Sequence, residues 1–461
     1  MSPRHSQHPG SNEPPHPWGR AAIWLSFLGP FFFISYGFST WLSSQNPTIT
    51  SIVFDWEQHI PFIPWSIIPY WIIDVLYVVS LFICTTQKEV DVHAKRLLTA
   101  QIVAVICFVF FPLSFSFVRP ETSGITGWLF SVLSSFDQPY NQAPSLHISL
   151  LIILWVHYLR HLPGKWVWPF HILCAIIGVS VLTTYQHHFI DIPTGALLGW
   201  LCVWLWPMKA KSMFQSGQLG KDSHRWKMTT YYLAGSIMIM SVAIGLSGIA
   251  YCLVWPAVSL LLVSFNYAYL GSAGFQKEAD GRMGIAARWL YFPYLLGAYA
   301  NSRIWTRNEP KAVKICDRIY LGRLPAQRDI KASGYEAVVD MTAEFNKTDS
   351  TVAWHSIPCL DLLVPSKENL LAAARIISSI EKKKILVACA LGYSRSALAV
   401  IAWLLVTRRV NSVDNAIAMV KQQRPAIVIS DEARLVLSAL IEAEKPGSSK
   451  TPGTEEFYFS Q

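Results

Sequence analysis

The strongest constraint on this fold is a succession of long apolar runs. They fall at about 22–44, 62–85, 97–118, 145–161, 166–185 and 190–208, with two more at about 228–246 and 249–270. A helix crossing the bilayer hydrocarbon needs ~20 apolar residues, and inside the bilayer its backbone polar groups must pair within the segment. These runs predict a multi-pass α-helical membrane domain. Only 15% of the 461 residues are charged, against about a quarter in an average soluble chain, and the deficit lies before residue 305. The formal charge of +9 would suit a nucleic-acid partner. However, Lys and Arg cluster in short connections beside the apolar runs, and no basic helix or nucleic-acid motif is present. The charge is better explained by membrane topology and anionic lipid.

Lys88, Lys95 and Arg96 follow the second run, Arg160 and Lys165 the fourth, and Lys209, Lys211, Lys221, Arg225 and Lys227 the sixth. The alternate connections, 45–61, 119–144 and 186–189, hold Arg119 and almost no other Lys or Arg. The positive-inside rule then places the N-terminus in the cytoplasm of an inner (plasma) membrane and Arg119, His147 and His187 on its outer face. Residues 1–21 are polar and Pro-rich and are expected to be disordered. The first apolar run is long enough to stay as an anchor, so no cleaved leader is expected. The expected organisation is a tail at 1–21, a membrane domain at 22–208, and a region at 209–308. That region holds a basic linker, two further transmembrane helices and an interfacial or re-entrant helix at 286–300. Near residue 308 Lys, Glu and Asp become frequent. Strand-like runs (337–340, 385–388) then alternate with amphipathic helical patterns (367–382, 431–443), which predicts an α/β domain at 309–445 with a central sheet flanked by helices. A disordered tail is expected at 446–461.

The eight cysteines show no metal-type spacing, so no metal site and no cofactor are expected. Cys84, Cys107, Cys174, Cys202 and Cys252 lie in apolar runs and read as inert core thiols, and Cys316 and Cys359 read as structural.

His147 and His187 are 40 residues apart, enough for two crossings, so both return to one membrane face. Metal-free phosphoryl transfer needs a nucleophile, a proton donor for the leaving oxygen and cations on the equatorial oxygens. His187 and Asp191 are four apart and would share a helix face. The carboxylate would fix the imidazole tautomer, His147 could donate the proton, and Arg119 offers a planar fork for phosphate. His188 reads as a neighbour. Asp74, inside the second run, is either functional or a hydrogen-bonded packing group.

Arg119-Pro120, Pro144-Ser145-Leu146-His147 and the His187/Asp191 pair resemble the three motifs of the type 2 phosphatidic acid phosphatase superfamily, over roughly residues 60–208. The resemblance implies a six-helix bundle. In it His187 is the nucleophile, Asp191 orients it, His147 is the general acid and Arg119 belongs to the phosphate cradle. Pro112 and Val181 stand where that family has Lys and Arg, and Leu146 stands where it has Gly. In these departures the chain is similar to the sphingomyelin and inositol-phosphorylceramide synthase branch, which transfers head groups between lipids.

The stretch Cys389 to Ser396, CALGYSRS, lies between a strand-like run and a helical one. Loop N–H groups and a helix N-terminus there converge on one spot, an anion cradle that also favours the Cys389 thiolate. Gly392 permits the tight turn, Arg395 can grip two phosphate oxygens, and Ser396 can stabilise the departing thiolate. The stretch resembles the C-x-x-G-x-S-R-S signature of cysteine phosphatases, most closely the dual-specificity group, with Ala388 where His is usual. The resemblance spans about 310–443. It implies Cys389 as nucleophile, Arg395 as phosphate grip and Asp361, in HSIPCLDLLVP, as the acid on a separate loop.

The whole chain thus resembles a bacterial fusion of the two families. The expected function is a membrane phosphatase hydrolysing phosphate monoesters of lipids at an outward-facing phosphohistidine site. A second, cysteine-dependent site would lie in the cytoplasm, where thiols stay reduced. The alternative is lipid head-group phosphotransfer at the membrane site, with a phosphatase or phospho-binding signalling tail. The expected partners are phosphorylated lipid and membrane, with phosphoprotein as a further candidate and nucleic acid excluded.

Overall fold

The computed structural model describes residues 16–46, 48–209, 213–380 and 382–443. The tail 446–461, Lys211 and the first fifteen residues lie outside these. The chain divides into two compact units, Met1–Ser212 with Ala243–Cys252, and Met213–Val242 with Leu253–Gln461.

The first unit is helical: α1 (Trp18–Ser44), α2 (Ile67–Phe82), α3 (Gln87–Phe110), α4 (Gly124–Ser134), α5 (Leu146–Tyr158), α6 (Gly164–Thr183) and α7 (Asp191–Leu205). Helix α1 begins at Trp18, so residues 18–21 are helical and not part of a disordered tail. Among the described residues six helices are long and apolar enough to cross a membrane: α1, Pro64–Phe82, α3 and α6 here, and Ser223–Leu246 and Gly248–Phe275 further along the chain. Helices α5 and α7 have only 13 and 15 residues. At ~1.5 Å per residue they are shorter than a ~30 Å hydrocarbon layer, and shorter than the apolar runs at 145–161 and 190–208 in which they lie. Polar residues begin both helices: the Ser145 side chain accepts from Ile148 N, and Asp191 opens α7.

Helix α3 also differs from expectation. Thr86 caps it by accepting from Glu89 N, so Lys88, Lys95 and Arg96 lie inside the helix and not in a loop. The buried Arg96 donates to Trp206 O at 2.9 and 2.7 Å. It places a cation at the C-terminal end of α7, where the helix dipole favours one.

The pairing that matters most for the site is α5 against α7. A Cβ on Gly195 would collide with the Ser145 carbonyl, and one on Gly199 with Ile152 and the Ser149 carbonyl. These two glycines let the backbones close in, as small residues do between membrane helices. Ser149 Oγ then donates to Gly195 O at 2.9 Å, and Ser145 N to Asp191 O at 3.1 Å. The surrounding core includes Ile67, Tyr70, Phe130, Leu151, Leu154 and Ile177.

The second unit begins with α8 (Met213–Ser216) and α9 (Ser223–Leu246), the latter as far as Val242. Helix α10 (Val254–Phe265) runs on through a π turn, Asn266–Leu270, and a 3-10 turn, Gly271–Phe275. The expected helix at 286–300 is two helices, α11 (Ile285–Leu290) and α12 (Phe292–Trp305). Pro293 sits in the first turn of α12, where its missing N–H costs nothing, and the run breaks at Tyr291.

A five-stranded sheet follows, in the order β1-β2-β5-β3-β4, from β1 (Val313–Cys316), β2 (Ile319–Arg323), β3 (Ala337–Thr342), β4 (Ala353–Cys359) and β5 (Ile385–Cys389). Of these five, β1 alone runs antiparallel to its neighbour. β3 and β5 are buried along their whole length, as central parallel strands covered on both faces must be. Helices α13 (Gln327–Ser333), α14 (Lys367–Ile380), α15 (Arg395–Val406), α16 (Val413–Gln423) and α17 (Asp431–Ala443) complete the domain. Helix α15 is buried from Arg395 to Leu405, with Leu398, Ile401, Trp403 and Leu404 in the main core.

Candidate active site

In the first unit, His147 and His187 line one small cavity of about 70 Å³, together with Tyr36, Tyr70, Asp74 and Asp137. His187 Nδ1 lies 3.1 Å from Asp191 Oδ2. The pair does not share a helix face, because His187 belongs to the turn before α7. That turn is closed by Tyr185 in the left-handed region (φ 54°) and by His187 N donating to Val181 O. The same Asp191 oxygen accepts from His188 N at 3.0 Å. One carboxylate therefore holds both the turn and the imidazole.

The His147 ring stacks on Tyr70 at 4.2 Å between centroids, and its buried Nε2 has no hydrogen-bond partner among the described residues. Arg119 is not a lining residue. Its guanidinium lies over Phe130 at 4.7 Å and reaches Ser134 Oγ at 3.4 Å. It is coupled electrostatically to Asp137 and Tyr70, which do line the cavity. Asp137, which sequence reasoning missed, accepts from Tyr36 Oη at 2.7 Å. Glu57, also missed, holds His188 Nδ1 at 3.0 Å and Phe189 N at 2.9 Å. Ser116 N donates to His188 Nε2 at 3.1 Å, so both His188 nitrogens are engaged in structure. Asp74 is a lining residue of the cavity.

Elsewhere in this unit Glu89, His157 and His161 bring potential metal-ligand atoms within 4.8 Å of one another. His161 and Arg160 already pair with the Glu89 carboxylate, at 3.0 and 3.6 Å.

In the second unit the loop after β5 closes around Cys389 Sγ. Gly392 N and Ser396 Oγ both donate to the sulfur at 3.2 Å, which favours a negative charge there. Gly392 has φ +77°, and a Cβ would strike the backbone of Gly322 and Arg323, so no other residue fits the turn. Arg395 opens α15 and is buried. Glu344 meets it with both oxygens, Oε1 at 2.7 Å from Nη2 and Oε2 at 3.0 Å from Nη1. Asp361 Oδ1 lies 2.8 Å from Nη2, and Cys359 O accepts at 2.7 Å. Burial works against the guanidinium charge, but Asp361 and Glu344 outweigh it and hold Arg395 protonated well above its usual range. The structure thus brings Gly392 and Ser396 onto the Cys389 sulfur and Asp361 onto Arg395, which is coupled electrostatically to Cys389. Burial pushes the Cys359 thiol up to about 12, so it stays neutral at physiological pH.

Residues 319–444 match the family model of the dual-specificity phosphatase catalytic domain. The chain is a phosphatase. Its phosphatase domain is similar to the crystal structure of Tk-PTP in the active form, with 32% identity over 29% of this chain and 98% of that one and a TM-score of 0.27. It is also similar to human DUSP28, with 24% identity over 29% of this chain and 95% of that one and a TM-score of 0.26. A third similar structure is PTPMT1, with 22% identity over 29% of this chain and 96% of that one and a TM-score of 0.27. No curated protein matches the chain significantly.

The phosphatase domain is supported by residues of the region that the sequence reading gave to further membrane helices and their connections, 209–308. Tyr267 Oη, in the π turn, donates to Asp361 O at 2.9 Å. Ser302 Oγ, on α12, donates to Ala390 O in the cysteine loop at 2.5 Å. Arg303 donates to Leu324 O at 3.0 Å. Lys277 reaches Asp340 on β3. The buried Arg424 reaches Leu391 O at 3.3 Å and lies over the Tyr393 ring, propping the cysteine loop. Nothing in the spacing of Glu344 along the sequence marks it as the partner of Arg395.

Proposed function

We propose that the chain is a membrane-anchored enzyme whose cysteine site hydrolyses phosphate monoesters by way of a phosphocysteine. The carrying observation is the Cys389 sulfur held by Gly392 N and Ser396 Oγ, beside a guanidinium oriented by Glu344. Cys389 thiolate attacks phosphorus as the P–O ester bond breaks, and the equatorial oxygens settle against Arg395 and the loop N–H groups. Asp361 gives its proton to the leaving oxygen. Water then attacks phosphorus, Asp361 takes its proton, the S–P bond breaks, and Ser396 stabilises the departing thiolate. Asp361 lies on Arg395 in this structure, so incoming phosphate must displace it. Phosphate release from an aryl phosphate by the full chain, lost in Cys389→Ser, tests this reading. Equal release by the variant would reject it.

For the first unit we propose a second site on the outer face, at which His187, oriented by Asp191, attacks lipid phosphate and His147 protonates the leaving oxygen. The convergence of both imidazoles on one cavity supports it. One observation favours head-group transfer there instead. The lining residues include Asp74 and Asp137 but no Lys or Arg. A phosphate monoester carries about −1.5 to −2 near neutral pH, whereas a phosphodiester head group carries a single charge and suits such a cavity better. Supplying labelled lipid with a lipid alcohol acceptor separates the readings: labelled diester product marks transfer, and free phosphate marks hydrolysis.

A further inference from the structure

Beside the cysteine loop, within the second unit, lies a cavity of about 400 Å³ whose lining includes Ala390 and Leu391, the two residues that follow Cys389. One wall belongs to the phosphatase domain: Glu344 and Asp361, both bonded to Arg395, and Ala390 of the cysteine loop. The rest of the lining is helical and largely apolar, with Ile239 of α9, Leu260 of α10, and Pro293 and Gly297 of α12. Tyr232, Tyr294 and Asn301 add polar groups to it. The same helices carry Ile237, Leu261, Phe292 and Leu296 exposed.

We infer that the cysteine site takes phosphate monoesters of membrane lipids, with the phosphate against Arg395, the polar backbone among Tyr232, Tyr294 and Asn301, and the acyl chains along α9, α10 and α12. This rests on the phosphocysteine reading given above. The volume lies in the range of about 300–1,000 Å³ usual for small-molecule sites, enough for a head group and the start of its chains. A phosphopeptide would bring a string of backbone N–H and C=O groups, each costly to strip of water without a partner, against Ile239, Leu260 and Pro293. An acyl chain brings none. The bond broken is the lipid P–O bond. The lipid oxygen takes the proton of Asp361 and leaves as an alcohol, and water restores the thiolate, the Asp361 proton and inorganic phosphate.

The test uses the full chain in lipid nanodiscs, and counts only phosphate release that Cys389→Ser abolishes. The probes are dioleoyl phosphatidic acid in the disc, soluble glycerol 3-phosphate, a phosphotyrosyl peptide and an aryl phosphate. The expected result is a kcat/KM for the phosphatidic acid at least tenfold above those for glycerol 3-phosphate and the peptide. Gly297 has nothing within 4 Å of its Cβ position, so Gly297→Phe projects into open space and fills the apolar end. The ratio of lipid to aryl phosphate turnover is expected to fall at least tenfold in this variant. Gly297→Leu gives the same reading should the larger side chain prevent folding. A better rate on the phosphotyrosyl peptide, an unchanged ratio in both variants, or no Cys389-dependent release from the lipid overturns the inference while leaving the phosphatase intact. Failure of the unaltered chain on the aryl phosphate as well would instead sink the phosphocysteine reading.

Discussion

The ammonium of Lys277 lies 2.6 Å from Asp340 Oδ2, with neither side chain exposed to solvent. The same nitrogen donates to Thr342 O at 2.7 Å and Thr342 Oγ1 at 3.0 Å, which uses all three of its protons. Trp354 Nε1 adds a donor to the carboxylate at 3.1 Å. Lys277 belongs to a segment between the helices, and Asp340 is on a central strand. The pair therefore fastens the helical part of the second unit onto the sheet. Removing one member leaves the other charge buried, at a cost of roughly 3–5 kcal/mol. Lys277→Met is expected to lower the denaturation midpoint of the full chain sharply, and Lys277→Met with Asp340→Leu to recover part of the loss. A midpoint unmoved by the single change would show that the contact does not fasten the two parts.

Glu344 holds Arg395 through two parallel charge-assisted bonds, which fix the plane of the guanidinium as well as its charge. Hydrogen bonds to charged groups contribute about 1.5–3 kcal/mol, so Glu344→Ala is expected to lower kcat/KM for an aryl phosphate by about 10- to 100-fold. Titration with vanadate or another phosphate mimic should show weaker binding in the same variant. Tight binding with slow turnover would instead assign Glu344 a role in proton transfer.

Tyr267→Phe removes the hydrogen bond to the Asp361 carbonyl and leaves the ring. A neutral hydrogen bond contributes about 1 kcal/mol, so the expected loss in kcat is about fivefold. It should be larger for an alkyl phosphate than for an aryl phosphate with a good leaving group, because only the former depends on the acid. Equal losses on both would mean that Tyr267 supports the loop without placing the proton donor.

In a Cys389→Ser background, phosphate release or head-group transfer from lipid reports the first unit alone. His187→Ala is expected to abolish it. Asp191→Asn should lower it by on the order of 10²- to 10⁴-fold, by analogy with a buried carboxylate that sets an imidazole tautomer. Since Asp191 also accepts from His188 N, the far-ultraviolet spectrum and detergent melting of the variant distinguish a lost tautomer from a lost turn. Lipid turnover that survives His187→Ala would remove this site from the chemistry.

Much of the cysteine site was legible because it is local. Cys389, Gly392, Arg395 and Ser396 lie within eight residues, where a strand end, one left-handed glycine and a helix start leave little freedom. The apolar runs were equally plain, since a 3.6-residue period and a bilayer's thickness are properties of a single segment. Two expectations failed for a shared reason. His187 and Asp191 meet across a turn and not along a helix, and Lys88, Lys95 and Arg96 lie inside α3. Both depend on where a helix begins: α7 starts only at Asp191, whose carboxylate holds the preceding turn through His188 N, and α3 starts just after Thr86, whose side chain accepts from Glu89 N.

What the sequence determined alone was therefore the class of each part: greasy helices with two histidines, then an α/β domain with a cysteine phosphatase loop. Only the tertiary structure decided that Glu344 aligns Arg395, that Asp137 sits with Tyr36 beside the histidines, and that Tyr267, Lys277 and Ser302, from the helical region before the sheet, brace the phosphatase. Glu344 and Arg395 are 51 positions apart, Lys277 and Asp340 63, and Ser302 and Ala390 88. Such pairs carry no mutual signal in one chain, because their meeting depends on how whole elements pack and not on the local preferences of either neighbourhood.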